Sequence, residues 1–167
     1  NTNDGSCEVE CGVFPTEYFH NPTSLSMSVL FQNIDNLPPA VCNNPYIVAV
    51  NSSGLVFGSS RISNANANGQ LQLAIWTDDD LIPETIGAFD GEELFLKYVD
   101  GYTVYNLLPS LSTGSNSLVY FSQQFIPVSG LSIESYCTEG SECIEGCTDA
   151  SALNYNPAAN SNNDSCI

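Results

Sequence analysis

Residues 92–108 read Glu-Glu-Leu-Phe-Leu-Lys-Tyr-Val-Asp-Gly-Tyr-Thr-Val-Tyr-Asn-Leu-Leu and carry the strongest β-hairpin signal in the chain. Two runs rich in aromatic and aliphatic residues, 92–99 and 102–108, flank the dipeptide Asp100-Gly101. Both central positions of a type I′ turn need positive φ, and Asp-Gly is a preferred pair there. The stretch therefore predicts two antiparallel strands joined by a type I′ turn.

Similar short runs occur on both sides of this hairpin. Residues 24–31 alternate between apolar residues and serines, which predicts a strand with one buried face. No segment shows a convincing helical period. Further strands are predicted over 46–50, 55–62, 70–76, 118–126 and 131–136. At least seven short strands separated by turn residues predict an all-β fold, an antiparallel β-sandwich of Ig-like or jelly-roll-like type.

The strand pattern also predicts a core and a set of strand breakers. Proline donates no hydrogen bond to a β-ladder, so we expect these prolines between the strands: Pro38, Pro39, Pro45, Pro83, Pro109 and Pro127. The expected core residues are Leu25, Met27, Val29, Val48, Val50, Leu71, Leu73, Ile75, Leu94, Leu96, Val119 and Phe121.

The charge of the chain excludes several classes of partner. Among 167 residues there are 2 Lys plus Arg and 19 Asp plus Glu, which gives a formal net charge of −17. With only Arg61 and Lys97 as cations, we expect no nucleic-acid binding and no attraction to an anionic membrane. The absence of an 18-residue apolar run predicts no membrane insertion. The chain begins at Asn1, from which we expect that a signal peptide has been removed.

The 7 cysteines predict an oxidising compartment. Cys137, Cys143, Cys147 and Cys166 fall within the last 31 positions, which is typical of a disulfide-stapled tail outside the cytoplasm. Zinc ligation is the alternative, but the spacing Cys137-x5-Cys143-x3-Cys147 is not a familiar zinc pattern. The odd count leaves one cysteine either unpaired or bonded to another chain.

The tail has the one specific motif. Residues 146–166 read Gly-Cys-Thr-Asp-Ala-Ser-Ala-Leu-Asn-Tyr-Asn-Pro-Ala-Ala-Asn-Ser-Asn-Asn-Asp-Ser-Cys. They resemble a small module of secreted and surface proteins of aquatic Gram-negative bacteria, with the pattern Gly-Cys-Thr-Asp, Asn-Tyr-Asn-Pro-x-Ala and Asp-Gly-Ser-Cys. Here Ser165 directly follows Asp164, where the pattern has Gly. The resemblance implies a disulfide between Cys147 and Cys166.

The same tail is rich in oxygen-bearing side chains of the kind that a Ca²⁺ site collects. Two carboxylates are few, so such a site would be weak and suited to extracellular calcium. The alternative is that these side chains cap turns by bonding their own backbone. A run of three carboxylates, residues 78–80, is a further candidate for cation ligation, with a solvated loop as the alternative. The candidate ligands in the tail are Asp149, Asn154, Asn156, Asn160, Asn162 and Asp164.

The N-terminus contains a candidate donor strand. Residues 3–7, Asn-Asp-Gly-Ser-Cys, reproduce the ending of the tail module. Either this is chance similarity in an Asn-rich chain, or the chain is one unit of a repetitive protein and Cys7 pairs outside it. After them the chain alternates, with Val9, Cys11 and Val13 on one face. Such a segment resembles the donated strand of pilus subunits that assemble by donor-strand exchange, in which it completes a neighbour's sheet. The alternative is pairing within its own domain.

Enzymatic activity is not expected. No Gly-x-Ser-x-Gly motif occurs, and any Ser or Cys nucleophile would depend on His20, the single histidine. Asp90 and Glu92 form a carboxylate pair in principle suited to glycoside cleavage, but they flank Gly91 at a strand start. Turn formation is the commoner role for carboxylates in that position.

Sugar binding is the alternative to assembly. The rings of Trp76, Tyr102 and Tyr105 are candidates for stacking on a glycan, and Asn51 and Asn163 begin glycosylation acceptor patterns. Residues 20–136 resemble β-sandwich domains of exported surface proteins of the same bacteria, which implies an adhesive or structural role. We expect a leader with the candidate donor strand (1–19), a β-sandwich (20–136) and a Cys-rich module that contains the candidate calcium ligands (137–167). The expected function is that of a self-assembling subunit of an extracellular, pilus-like filament or surface assembly, with a surface adhesin or carbohydrate-binding module as the alternative.

Overall fold

A computed structural model of the chain describes residues 14–19, 25–79, 81, 83–84 and 87–167. These residues form ten strands, a 3₁₀ turn at Ile62–Asn64 and no α-helix, so the all-β prediction is confirmed. The strands are β1 Ser26–Phe31, β2 Tyr46–Val50, β3 Val56–Arg61, β4 Leu71–Trp76, β5 Glu93–Asp100, β6 Thr103–Leu111, β7 Leu118–Val119, β8 Phe125–Thr138, β9 Glu145–Gly146 and β10 Ser161–Asn162.

We call strands β1–β8 the β-domain and the residues after β8 the tail. The strands of the β-domain form one mixed sheet in the order β3-β2-β5-β6-β8-β1-β4, with β7 beside β5. All neighbours are antiparallel except β1 and β8, which run parallel. Parallel neighbours need a long connection, and almost the whole β-domain lies between β1 and β8 in sequence. The β9–β10 pair in the tail is also parallel. The sequence predicted only antiparallel pairing, which local turn signals favour.

The β5–β6 hairpin is present, but its turn lies one residue later than predicted. Asp100 pairs with Thr103, so Gly101 and Tyr102 are the central residues. Gly101 has a φ of 53°, and Tyr102 is not among the residues with positive φ, as in a type II′ turn. The Asp100 carboxylate accepts hydrogen bonds from the backbone N–H groups of Val41 (2.7 Å) and Cys42 (2.8 Å). These bonds hold Asp100 at the end of the strand.

Side chains from both ends of the sheet meet in one inner core. Nine of the twelve predicted core residues are buried: Met27, Val29, Val48, Val50, Leu71, Leu73, Ile75, Leu94 and Leu96. The prediction is wrong for Leu25 and Phe121, which are exposed, and for Val119, which is half-buried. Leu25 precedes β1, and β7 ends at Val119, so neither Leu25 nor Phe121 lies in a strand.

The opposite face of β2 packs into a second, smaller cluster. Val48 and Val50 do not join the inner core as predicted but lie on this face. Because β2 is buried on both faces, its sequence is a continuous run of apolar residues and does not alternate with polar ones. We call this group the outer cluster: Tyr46, Val48, Val50, Val99 and Val104.

Two prolines lie inside strands, contrary to prediction. Pro109 is part of β6, opposite Leu131, and Pro127 is part of β8, beside Leu30 of β1. The predicted strand 118–126 is in fact β7, a turn with Gln123 at a φ of 63°, and the start of β8. The predicted strand 131–136 is the second half of β8. Because each proline was treated as a strand breaker, the prediction divided β8, the longest of the described strands, into two.

Strands β3 and β4, at the two ends of the sheet, approach each other at Gly58. A Cβ atom on Gly58 would collide with the backbone carbonyl oxygen of Ala74 in β4. Backbone atoms cannot move aside as a flexible side chain can, so this contact requires glycine. The Gly58 contact therefore brings the two end strands around the same core.

Replacing Gly58 with alanine is predicted to destabilise the protein. Overpacking against backbone costs about 1–3 kcal/mol, so the free energy of unfolding of Gly58→Ala in urea should fall by about 2 kcal/mol. Gly130→Ala is the matched control, since a Cβ on Gly130 meets no atom within 4 Å. Equal stability of the two variants would contradict the close approach of β3 and β4.

Candidate functional site

Strand β8 is much longer than its neighbour on one side. It has 14 residues, of which Val128–Thr138 pair with β6, whereas β1 covers only Phe125–Val128 on the other edge. Beyond β1, the side-chain amide of Asn36 donates to the carbonyl oxygen of Leu131 at 2.9 Å. Among the described residues, no strand pairs with this edge of β8 from Ser132 to Tyr136. We call this segment the open edge.

Apolar side chains lie exposed along the open edge. Ile133 is opposite Leu107, and directly opposed residues share a face of the sheet, so Ile133 extends the face that carries the inner core. Tyr136 is opposite Tyr105, which packs against that core. Ile133 is 41% exposed and Tyr136 is 68% exposed. The core face of the sheet is therefore left uncovered where it reaches this edge.

Three tyrosines form a row across the sheet that ends at the open edge. The rings of Tyr98 and Tyr105 stack at 5.5 Å, and those of Tyr105 and Tyr136 are tilted at 5.9 Å. Burial raises the pKa of the Tyr98 and Tyr105 hydroxyls, and the charge of Asp100 raises both further. The row passes from the buried Tyr98 to the exposed Tyr136, and its last ring has one uncovered side.

Residues 14–18 are held on the outer face of the sheet. Phe14 packs against the outer cluster, and the backbone carbonyl of Pro15 accepts a hydrogen bond from the Tyr46 hydroxyl at 2.8 Å. The backbone N–H of Tyr18 donates to the Ser59 hydroxyl at 2.8 Å. The predicted donor residues Val9, Cys11 and Val13 lie outside the described residues, as do Cys7, His20 and Asp80.

Arg61 connects both ends of the described chain to β3. Its guanidinium donates to both carboxylate oxygens of Glu17, at 3.0 and 3.1 Å, and to both of Asp164, at 2.9 and 2.7 Å. Asp164 has a φ of 64° and, counted back from Cys166, stands where the module pattern has Gly. Hydrogen bonds from Arg61 lower the pKa of Asp164. Sequence periodicity offers no signal for this contact, because its members are far apart in the chain.

Disulfides and hydrogen bonds hold the tail against the β-domain. Cys147 is bonded to Cys166, the pairing that the module resemblance implies, and Cys42 is bonded to Cys143 across 101 residues. Cys137 is disulfide-bonded as well. These bonds use the cysteines on which the zinc alternative depended and indicate an oxidising, non-cytoplasmic environment.

The six candidate calcium ligands all make contacts within the protein. Asp149, Asn156 and Asn162 accept from the backbone N–H two residues further on, at 2.9–3.1 Å, as in turn capping. Asn154 and Asn160 accept from the distant N–H groups of Ile167 and Ile144, and Asp164 binds Arg61. Within the described ranges, no group of three His, Cys, Asp or Glu side chains is placed to hold a metal ion. Calcium binding through carboxylate and amide oxygens stays a prediction.

The carboxylates considered for catalysis or cation binding bond to loop backbone. The Asp90 carboxylate accepts from the N–H of Ser122 at 2.7 Å, and Glu92 accepts from the N–H of Phe89 at 3.0 Å. Similarly, Asp79 accepts from the N–H of Leu81 and Asp78 from that of Gly87. The Glu92 contact, three residues apart, matches the turn-forming role predicted for that position, whereas Asp90 bonds to a loop 32 residues away.

A cleft of about 530 Å³ lies between the β-domain and the tail. The rings of Phe14, Tyr102 and Tyr155 line it, together with the exposed carboxylates of Glu139 and Glu142. Of the three aromatic residues proposed for sugar binding, only Tyr102 lines this cleft. Trp76 lies at the end of β4, and Tyr105 belongs to the tyrosine row.

No protein-family model matches the chain, and searches of curated proteins and of solved structures likewise find no match. In the described part of the chain, no helix is long and apolar enough to cross a membrane.

The Arg61–Asp164 pair is predicted to make stability depend on pH. Because the folded protein lowers the Asp164 pKa, the pair stabilises above the ordinary Asp pKa of about 3.9, and this contribution disappears as the pH falls through the lowered value. Asp164 is largely exposed, so Asp164→Asn should lose less than about 1 kcal/mol at pH 7. Urea unfolding at pH 7 and at pH 2 measures the difference.

The control for this pair is Glu84→Gln, which removes an exposed carboxylate that is not a partner of Arg61. Glu84→Gln should leave stability nearly unchanged at both pH values. If the deficit of Asp164→Asn persists in full at pH 2, it does not come from the ion pair.

Proposed function

We propose that this chain is a structural subunit of an extracellular, pilus-like filament or surface assembly. Subunits join when the N-terminal strand, with Val9, Cys11 and Val13 on one face, is donated to a neighbouring copy. The observation that carries this proposal is the open edge of β8, where the sheet lacks a strand among the described residues. An unpaired strand edge is a ready template for a strand from another chain.

The anchoring of residues 14–18 supports donation of the residues before them. Phe14, Pro15 and Tyr18 contact the outer face of their own sheet, and Glu17 is bound by Arg61. A force on the donated strand would therefore pass into the body of its own subunit through these contacts. This is the mechanical connection that a filament subunit needs.

The covalent ties within the subunit suit the same role. The Cys42–Cys143 disulfide fixes the linker between β8 and β9 to the β-domain, and three hydrogen bonds join the tail to the loop before β2. The Ser161 hydroxyl donates to the Asn43 carbonyl and the Asn44 amide donates to the Asn162 carbonyl, both at 2.6 Å, and the Asn43 amide donates to the Glu145 carboxylate. We place the assembly outside the cell, secreted or at the cell surface, where such disulfides persist.

A surface adhesin that binds a glycan is the second candidate. The cleft between the β-domain and the tail favours it, because it offers aromatic rings next to hydrogen-bonding carboxylates. Calcium bound in the tail would reinforce that wall of the cleft. A wild-type chain that stays monomeric and binds glycans through Tyr102 would favour this function over assembly.

Charges on the apolar face of the donor strand are predicted to abolish assembly. Val9→Asp with Val13→Asp should leave a folded monomer, since a charged side chain cannot be buried against a neighbour's apolar face. Glu8→Gln with Glu10→Gln is the matched control on the opposite face and should assemble like the wild type. Negative-stain microscopy and size-exclusion chromatography report the polymer. Normal polymers from the Asp variant would contradict strand donation.

A further inference from the structure

We infer that the disulfide partner of Cys137 is Cys11 of the same chain, and that this bond is a latch that straps the N-terminal segment across the outer face of the sheet. The pairing is independent of the proposed function, whereas its consequence for strand donation rests on that function.

The other disulfides leave two candidates for the partner of Cys137. Cys137 is disulfide-bonded, and the other four described cysteines are bonded to one another in two pairs. The chain has 7 cysteines, so the remaining ones are Cys7 and Cys11. Within one chain, one of these two bonds Cys137, and the other accounts for the odd count.

Cys137 lies at the end of a row of residues that crosses the outer face. Arg61 of β3 is opposite Tyr46 of β2, which is opposite Val99 of β5. Val99 is in turn opposite Val104 of β6, which is opposite Cys137 of β8. Directly opposed residues share a face of the sheet, so the whole row lies on the face of the outer cluster.

The described N-terminal residues follow this row from β3 towards β8. Glu17 is bound by Arg61 on β3. The backbone carbonyl of Pro15 is bound by Tyr46 on β2, and Phe14 packs against the outer cluster. From residue 17 back to residue 14, the chain therefore moves from the first strand of the row to the second and onto the cluster. The same direction leads to the β8 end of the row.

The distance along the row selects Cys11. Neighbouring strands lie about 4.8 Å apart, so β8 is about 14 Å from β2, three strands away. Four extended residues separate Cys11 from Pro15 and span about 13 Å. The disulfide, with Cα atoms about 5.5 Å apart, then bridges the height between the strap and the sheet. Cys7 is eight residues from Pro15, about 26 Å when extended, and would need a loop to close the same distance.

The charges of the N-terminal segment favour the same pairing. The face between Pro15 and Cys137 is apolar and dry, since Val99 and Val104 are 1% and 5% exposed. Residues 11–14, Cys-Gly-Val-Phe, carry no charge and suit such a face. A bond to the earlier cysteine would bring the two glutamates that follow it across the same face, and burying unpaired carboxylates costs free energy.

The bond is a latch on the proposed donor strand. While Cys11 is bonded to Cys137 of its own chain, residues 11–13 stay on that chain and are not donated. A dithiol opens the latch by exchange: one thiolate attacks a sulfur of the bond and expels the other cysteine as a thiolate. The second thiol of the dithiol then displaces the first cysteine and closes its own disulfide. The dithiol is oxidised, and both cysteines are reduced.

Disulfide mapping of the unreduced full chain tests the pairing. A protease that cleaves after glutamate puts Cys7, Cys11 and Cys137 on three different peptides. We expect mass spectrometry to find the Cys137 peptide, residues 135–139, joined to residues 11–17. If residues 135–139 are joined to the Cys7 peptide instead, the assignment is wrong.

Isotope mixing tests whether the bond lies within one chain. Labelled and unlabelled chains are mixed, reduced and unfolded, then refolded under oxidising conditions and digested in the same way. The joined peptides should be both labelled or both unlabelled. Pairs with one labelled and one unlabelled peptide would show that Cys137 bonds a second chain and would overturn the intrachain latch.

Removing the latch tests its consequence for assembly. Cys11→Ala with Cys137→Ala should lower the melting temperature by about 5–15 °C, as loss of a native disulfide does. It should also assemble without a dithiol, at least about tenfold faster than the wild type. Cys7→Ala is the matched control, because it removes a cysteine from the same segment and keeps the latch. The control should melt and assemble like the wild type.

The two experiments separate this inference from the proposed function. If mapping finds the Cys11–Cys137 bond and the unlatched variant assembles no faster, the pairing stands and donation of this strand is wrong. If mapping finds Cys7 bonded to Cys137, the pairing is wrong, whatever the variants assemble into. If the unlatched variant melts like Cys7→Ala, the bond does not strap the segment to the sheet.

Discussion

The pairing of β6 with β8 is the interaction on which the rest of the structure depends. It joins Thr103–Leu111 to Val128–Thr138 and extends well past the region that β1 covers. Because β8 is long and β1 is short, one half of β8 completes the sheet around the inner core, and among the described residues the other half has a strand partner on one side only. The open edge and its exposed apolar side chains follow from this difference in length.

The ends of the described chain are fixed by a few contacts with the sheet. Arg61 binds Glu17 and Asp164 together, so the first described segment and the end of the tail meet on β3. The buried Asp100 carboxylate holds the loop at Cys42, whose disulfide to Cys143 fixes the tail linker. These contacts tie both ends of the described chain to the sheet, which suits the proposed structural role.

Local patterns predicted most strands correctly, because the alternation and the turn residues that mark a strand lie within a few positions of one another. The alternation in β1 and β4 and the Asp-Gly hairpin signal located three elements and most of the core. The predicted strand boundaries at the prolines were wrong, since Pro109 lies within β6 and Pro127 within β8, at positions where the sheet tolerates them. Local patterns also failed to show that β1 and β8 are parallel, because that pairing joins residues almost a hundred positions apart.

The candidate site was only partly visible in the sequence. The alternation of residues 8–13 can be read directly from the sequence, whereas the open edge depends on which side of a long strand lacks a neighbour among the described residues, a property of the whole sheet. The tyrosine row is likewise formed by three strands, and only their register brings Tyr98, Tyr105 and Tyr136 together.

Amide hydrogen exchange, compared between the monomer and the assembled form, tests the central claim most directly. The account predicts that the edge-facing amides between Ser132 and Tyr136 exchange fast in the monomer and become strongly protected in the assembly. Protection should be confined to this edge and to the donated strand. Equal exchange of these amides in both forms would show that the edge stays open and would contradict the account.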